Sequence, residues 1–411
     1  MTNIENTQEV LIVGAGPVGL VCALGLAQAG LKCTVIDEVP GVVHSPRAIV
    51  YHWSVLAGLD RLGILNQAIA RGFCKTDYSY KVHKSGETIS WDIGALKGHV
   101  EFPFNIHLPQ NILAEIILEE LKNYPDVSVD WETGFVGLEQ DGDGVTVNAK
   151  KPDGSEITYK ADWVIGADGA RSPVRHALGL PFDGTTWEHR FVATNIRADL
   201  EPLGYARSVM LIDDVYGAVV VKINNDNLWR CTFAEKADLP EESVLERIPE
   251  MFANIIPEMG DDYELVQYSP YRMHQRAASS FRKGRVMLAG DAAHSTNPTG
   301  GLGLTSGLFD SYILYEALAA IIKGQENESI LDKYSDERRR IFLETTSPRA
   351  IENCNFLYHS GDLEVLEKNL QNLRRMANDE PFMLEKTLFT MSMETPSLIT
   401  GLRTNEGVKI A

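Results

Sequence analysis

The chain is 411 residues long, 44% apolar and 23% charged, too long for one ordinary domain and composed like a globular protein with an ample core. That mixture excludes disorder, collagen-like repeats and coiled coil as descriptions of the whole. Fifty-seven acidic against 38 basic side chains leave a formal charge of −19, a field that repels phosphate backbones and anionic headgroups and argues against nucleic acid or a membrane surface as main partner.

Residues 1–10 are polar and acidic, with no basic segment leading an apolar run, so no signal peptide is expected. The five cysteines, Cys22, Cys33, Cys74, Cys231 and Cys354, are odd in number, widely spread and free of C-x-x-C. This pattern argues against a disulfide framework or a metal site and suits a cytoplasmic protein. Residues 10–31 carry no charge and are long enough for a membrane span. Gly14, Gly16, Pro17, Gly19, Gly25 and Gly30 punctuate them, which fits strand, turn and helix instead.

Period and punctuation predict a strand at 10–13, a helix at about 17–29 and a second strand at 33–37, a βαβ opening. Helical patterns follow at 47–71 and 110–122, with a hairpin over 77–92 between them. Three short strands are expected over 127–165 and a β-rich block over 191–271, interrupted by an acidic helix near 241–253. A buried strand at 285–289 leads through a glycine-rich loop into a helix at 304–322, and the chain then reads as helical to about 376, with a poorly patterned tail.

Three motifs carry chemistry. In Gly14-Ala-Gly16-Pro17-Val-Gly19, the first glycine allows the tight turn, the second lets backbone approach a pyrophosphate, and the third lets helix and strand pack closely. The diphosphate sits on the unpaired N–H groups of the helix that follows. Asp37, with Glu38 beside it, ends the next strand where a carboxylate can accept from a ribose diol. An acid there favours FAD or NAD over NADP at this site. The second motif, Asp168-Gly169-Ala-Arg171-Ser172-Pro173, also reads as an Asp-Gly turn and a capped helix start. The third runs from Gly290-Asp291-Ala-Ala-His294 through Asn297-Pro298 to Gly300-Gly301-Leu302-Gly303-Leu304-Thr305. It places Asp291 at a strand's carboxyl end, where open α/β sheets bind ligands, and aims a second helix start at the same crevice.

In this order and spacing the motifs resemble the FAD-dependent aromatic hydroxylases, the class A flavoprotein monooxygenases of the p-hydroxybenzoate hydroxylase type, over about residues 10–345. The resemblance implies an α/β, Rossmann-like FAD-binding domain with an inserted antiparallel β-sheet substrate domain and a helical C-terminus. The expected division is 1–75, 94–182 and 273–345 for FAD, 76–93 and 183–272 for substrate, and 346–411 for the helical segment. It also implies that NAD(P)H, bound transiently, and O2 serve to hydroxylate a phenolic or N-heteroaromatic small molecule through a C4a-hydroperoxyflavin. Gly14, Gly16, Pro17, Gly19, Asp37, Glu38, Arg47, Gln110, Asp168, Asp291, Gly301, Gly303, Leu304 and Thr305 would then serve the cofactor. The family often has Pro-Pro at Asn297-Pro298 and Asn at Thr305, so the flavin-facing details differ here. The thioredoxin-like domain of the phenol hydroxylase subgroup is not expected.

Candidates for substrate contact are Arg230, Tyr216 and Pro298, the first placed by family position and spacing from Gly217; Tyr205 is a further tyrosine to weigh. Arg230 reads equally as a surface strand arginine, and both tyrosines read better as packed residues. His294 and His52 read better as structural residues than as bases. No metal is expected, and a homodimer is compatible with the sequence. The alternative is an FAD oxidoreductase of the same fold without aromatic hydroxylation, a reductase or a Baeyer–Villiger-type oxygenase. A halogenase is disfavoured because no Trp-x-Trp-x-Ile-Pro pattern occurs.

Overall fold

A computed structural model describes residues 5–405 and contains two eight-stranded sheets, a three-stranded one and a helical segment after residue 346. The βαβ opening forms as expected: strand Glu5–Val13, helix Pro17–Gln28 and strand Cys33–Ile36, the two strands parallel. On its other side Glu5–Val13 pairs in parallel with Glu156–Gly166, which pairs with Val286–Leu288. Val13 stands opposite both Ile36 and Gly166, and Gly166 opposite Leu288, so four strands end level along one edge. The crevice beyond that edge is where such sheets take ligands.

The uncharged stretch 10–31 is thus a buried strand and a buried helix, and among the described residues no helix is long and apolar enough to cross a membrane. Helix Pro17–Gln28 is covered on one side by helix Leu302–Ile322, so closely that a Cβ on Gly25 would lie 2.3 Å from the Tyr315 ring.

The second sheet runs from His294–Ser295 through Glu264–Ala278, Phe182–Arg197, Leu228–Lys236, Ala218–Lys222 and Ser208–Ile212 to the hairpin Asp77–Val82 and Thr88–Asp92. Its period-two alternation is strict where it matters. Trp229, Cys231 and Phe233 pack with Phe252 of helix Val244–Ile255, while Arg230 and Thr232 face the opposite way, into a cleft.

Three expectations need correction. Residues 127–166 form four strands, not three, because the turn between Val127–Asp130 and Gly134–Gln140 is made by Glu132 at φ 53°, without glycine or proline to mark it. The helical stretch expected from 47 begins only at Trp53, since Val50–Tyr51 is drawn into a strand against Asn105–His107. Beyond 376 the chain stays helical through Leu363–Asn378, Glu380–Thr387 and the 3-10 turn Leu388–Met393. Asp379 caps the middle one by accepting from Phe382 N at 3.1 Å.

Candidate active site

A cleft of about 1490 Å³ opens where the parallel sheet's carboxyl edge meets the second sheet, with the C-terminal helices as its outer wall. Two helix starts supply one end. Gly16, Pro17 and Val18 begin helix Pro17–Gln28; Gly301, Leu302, Gly303 and Leu304 begin helix Leu302–Ile322; all seven line the cleft. First-turn N–H groups have no intrahelical partner, so both ends offer donors and positive dipole to one ligand.

The glycines explain the close fit. Gly14 turns at φ +111°, and a Cβ there would stand 2.3 Å from the Ala167 carbonyl oxygen; one on Gly19 would stand 2.0 Å from that of Gly14. Neither glycine lines the cleft. Gly16 does, and a Cβ on it would meet no protein atom within 4 Å, leaving its backbone open to an approaching phosphate. Asp37 is committed to the same loop, its Oδ2 accepting from Ala15 N at 2.7 Å and its Oδ1 from Val39 N at 3.2 Å. Glu38 beside it lines the cleft.

Arg47, Gln110, Asp168, Asp291 and Pro298 also line it. Asp291 is exposed on the cleft wall, where the surrounding protein pushes its carboxyl up while His294 and Arg47 pull it back. Asp168 holds Val174 N at 3.0 Å through Oδ2 and leaves Oδ1 without a partner. Thr305 lies just outside, buried, its hydroxyl donating to Gly301 O at 3.0 Å.

Arg230 is 7% exposed, so the surface reading of this arginine does not hold. Its Nε and Nη2 donate to Asn195 Oδ1 at 3.0 Å and its Nη1 to Arg47 O. It has no carboxylate partner among the described residues. Burial pulls its pKa down to about 10, with Tyr271 opposing. Tyr216 and Tyr205, by contrast, do not line the cleft. The Tyr216 ring, its centre 5.3 Å from that of His83, packs against the cluster around Trp229, and Tyr205 donates to Glu258 Oε2 at 2.8 Å. His294 is sealed at 1% exposure with Nε2 2.6 Å from Asp310 Oδ2, a structural place. His52 reaches the cleft; burial lowers its pKa and its Nε2 lies 2.8 Å from Gly300 O, so a neutral ring donates there.

Several cleft groups escaped the sequence reading. Tyr78 and Tyr80 project from one face of strand Asp77–Val82 against Trp91, with ring centroids 5.8 and 5.5 Å from it. Their i, i+2 spacing was the available signal. Tyr271, Arg349 and Phe356 complete this aromatic side.

Open backbone at Gly16, the orphaned Asp168 oxygen and two donor-rich helix ends fit a dinucleotide, and the comparisons identify which. Residues 7–347 match the family described as FAD binding domain. The chain belongs to the FAD-dependent aromatic monooxygenases. It is 44% identical over 94% of its length, and 98% of the relative's, to 6-hydroxy-3-succinoylpyridine 3-monooxygenase HspB of Pseudomonas putida (strain DSM 28022 / S16). Para-nitrophenol 4-monooxygenase of Pseudomonas sp. (strain WBC-3) is 42% identical over 87% of this chain and 89% of that one. The crystal structure of p-nitrophenol 4-monooxygenase PnpA from Pseudomonas putida DLL-E4 superposes with a TM-score of 0.91 at 39% identity, covering 95% of this chain and 99% of the other. This flavoprotein monooxygenase therefore takes FAD as cofactor, uses NAD(P)H as cosubstrate and acts on an aromatic compound.

Proposed function

We propose that the enzyme uses O2 and NAD(P)H to oxygenate a phenol or hydroxypyridine at a ring carbon that carries a substituent para to the hydroxyl. One observation carries the reading: a single cleft joins the two helix starts to an aromatic chamber that holds a buried arginine with no carboxylate partner among the described residues. The relatives support the position of attack. Each is named for the ring carbon that bears the nitro or succinoyl group, and in each that carbon lies para to the hydroxyl.

Bound FAD supplies the redox chemistry, taking reducing equivalents from NAD(P)H and passing one oxygen atom of O2 to the ring. The protein's part is binding, orientation and charge. Gly14 and Gly19 shape the first loop, and the backbone N–H groups at Gly16 and Val18 would hold the diphosphate, with Pro17, which has no N–H, fixing the first helical turn. Glu38 would face the adenosine ribose, with Asp37 bracing the loop through the Ala15 and Val39 amides, and Arg47, Gln110, Asp168 and Asp291 would hold the chain between ribose and ring system. The Gly301 to Thr305 helix start stabilises negative charge on the pyrimidine edge.

Oxygen transfer needs an electron-rich ring, so the substrate hydroxyl must give up its proton. Arg230, facing only neutral acceptors, lowers the cost of that anion. Pro298 and Phe356 wall the ring, and the C-terminal helices exclude water. Arg171, Arg272 and Arg276 form no ion pair among the described residues, and together they depress His274 after its burial. These cations suit the phosphates of a passing nicotinamide dinucleotide.

The test is NAD(P)H oxidation and oxygen uptake by FAD-loaded enzyme with 4-nitrophenol. Acceleration by the phenol with nitrite released supports the reading. Phenol-independent oxidation that returns all oxygen as peroxide refutes it.

A further inference from the structure

We propose that Arg349, with the Tyr80 hydroxyl beside it, holds an anionic substituent of the substrate, a carboxylate-ended side chain projecting from the ring. The inference rests on the aromatic-substrate reading above and names the substituent that the cleft selects.

Helix Ser347–Tyr358 lays Arg349, Asn353 and Phe356 along the cleft, the four- and three-residue steps that keep side chains on one face. Its Asn353 end touches the loop beside the flavin site, Nδ2 lying 3.5 Å from Thr299 O. Phe356 meets Tyr80 with ring centroids 5.5 Å apart, Tyr80 meets Trp91, and Trp91 meets Tyr78, forming an aromatic column suited to a flat ring. Arg349 lies seven residues before Phe356, about 10 Å along the axis, the reach of an extended side chain rather than of the ring itself.

Donors there lack acceptors. The guanidinium rests 4.4 Å from the Phe389 ring and makes no hydrogen bond among the described residues. Its one ion-pair partner among the described residues, Glu352, stands 3.6 Å away, beyond hydrogen-bond distance, and with 67% of that side chain exposed the pair is a weak one that leaves the guanidinium N–H groups free to donate. The Tyr80 hydroxyl likewise has no hydrogen bond among the described residues. Burial pushes Tyr80 up to about 12, Arg349 opposing, so the phenol keeps its proton and donates. A cation and a hydroxyl donor without protein acceptors, at the end of an aromatic slot, match a carboxylate.

The test compares 4-(4-hydroxyphenyl)-4-oxobutanoate with its methyl ester, equal in ring and chain but different in charge. Dissociation constants come from the change each causes in the bound-flavin spectrum, and turnover from oxygen uptake. The wild type should bind the acid more tightly than the ester. Arg349→Gln should reduce that preference about ten- to a hundredfold, the loss expected for a charge-assisted hydrogen bond. Tyr80→Phe should reduce it less, and Arg349→Lys should restore part of it. A preference unchanged within about twofold in Arg349→Gln, or no spectral change with either compound, overturns the inference. If the preference behaves as expected but neither compound is oxygenated, the oxygenation reading fails and the binding site stands.

Discussion

Val18 and Gly307 are in direct contact, although 289 positions separate them in sequence: a Cβ on Gly307 would stand 2.8 Å from Val18 Cγ2. The Gly290 Cα lies just beyond, 3.3 Å from the same point. One crowded junction therefore sets the spacing of both helix starts and of the loop that carries Asp291. Gly307→Val should force them apart at about 1–3 kcal/mol, the usual cost of overfilling a packed site. The checks are FAD dissociation constant and melting temperature; FAD affinity should fall at least tenfold.

Arg230 gives a second expectation. Arg230→Gln keeps a donor near Asn195 but removes the buried charge. FAD content should stay near that of the wild type, while kcat/KM for the phenol falls about tenfold and the peroxide share of consumed oxygen rises. Titrating substrate against oxygen uptake and peroxide yield measures both. Unchanged coupling would remove Arg230 from the proposed machinery.

The buried cluster of Asp310 with His294 and Arg338 predicts acid behaviour. Burial alone would raise the Asp310 carboxyl, but His294 and Arg338 hold it down to about 2. A carboxyl depressed in the fold contributes its stability above its ordinary pKa, about 3.9, and loses it as pH falls toward the folded value. Asp310→Asn should cost about 3–5 kcal/mol near neutral pH, because it strands Arg338 at 0% exposure. It should also flatten the loss of stability between about pH 4 and 2. Chemical denaturation across that range reads both effects.

Lys75 gives the same sign of pH dependence for the opposite reason, because the fold disfavours its charged form. It is 2% exposed, its Nζ 3.3 Å from the Tyr78 ring centre and 2.5 Å from Asp77 O, and burial lowers its pKa to about 7. Between that value and the ordinary lysine pKa the unfolded chain binds more protons, so this group makes stability rise with pH. Lys75→Met should flatten that rise and lift the melting temperature at pH 7 by a few degrees. Melting curves from pH 7 to 10 supply the comparison.

What was legible in the sequence was punctuation. Gly14, Gly16 and Gly19, and the run from Gly290 to Gly303, are placed by backbone conformations and close approaches that few residues allow, so their spacing alone located one end of the cleft. The opposite wall had no such mark. Arg349, Asn353 and Phe356 have the spacing of any amphipathic helix, and only packing shows that their face covers a cavity. Spacing from Gly217 located Arg230 because the strand through it is regular. Tyr216 lies in the turn before Ala218–Lys222, where alternation does not yet apply, and its ring falls outside the cleft. Glu132 hid a strand boundary for a related reason, a left-handed turn made by a residue that seldom makes one.

The central claim is that this cleft delivers oxygen to an aromatic ring, and isotope labelling tests it most directly. FAD-loaded enzyme turning over 4-nitrophenol under ¹⁸O2 should give a product with one ¹⁸O on the ring for each nitrite released. Product free of ¹⁸O, with the label recovered only in peroxide and water, would contradict it.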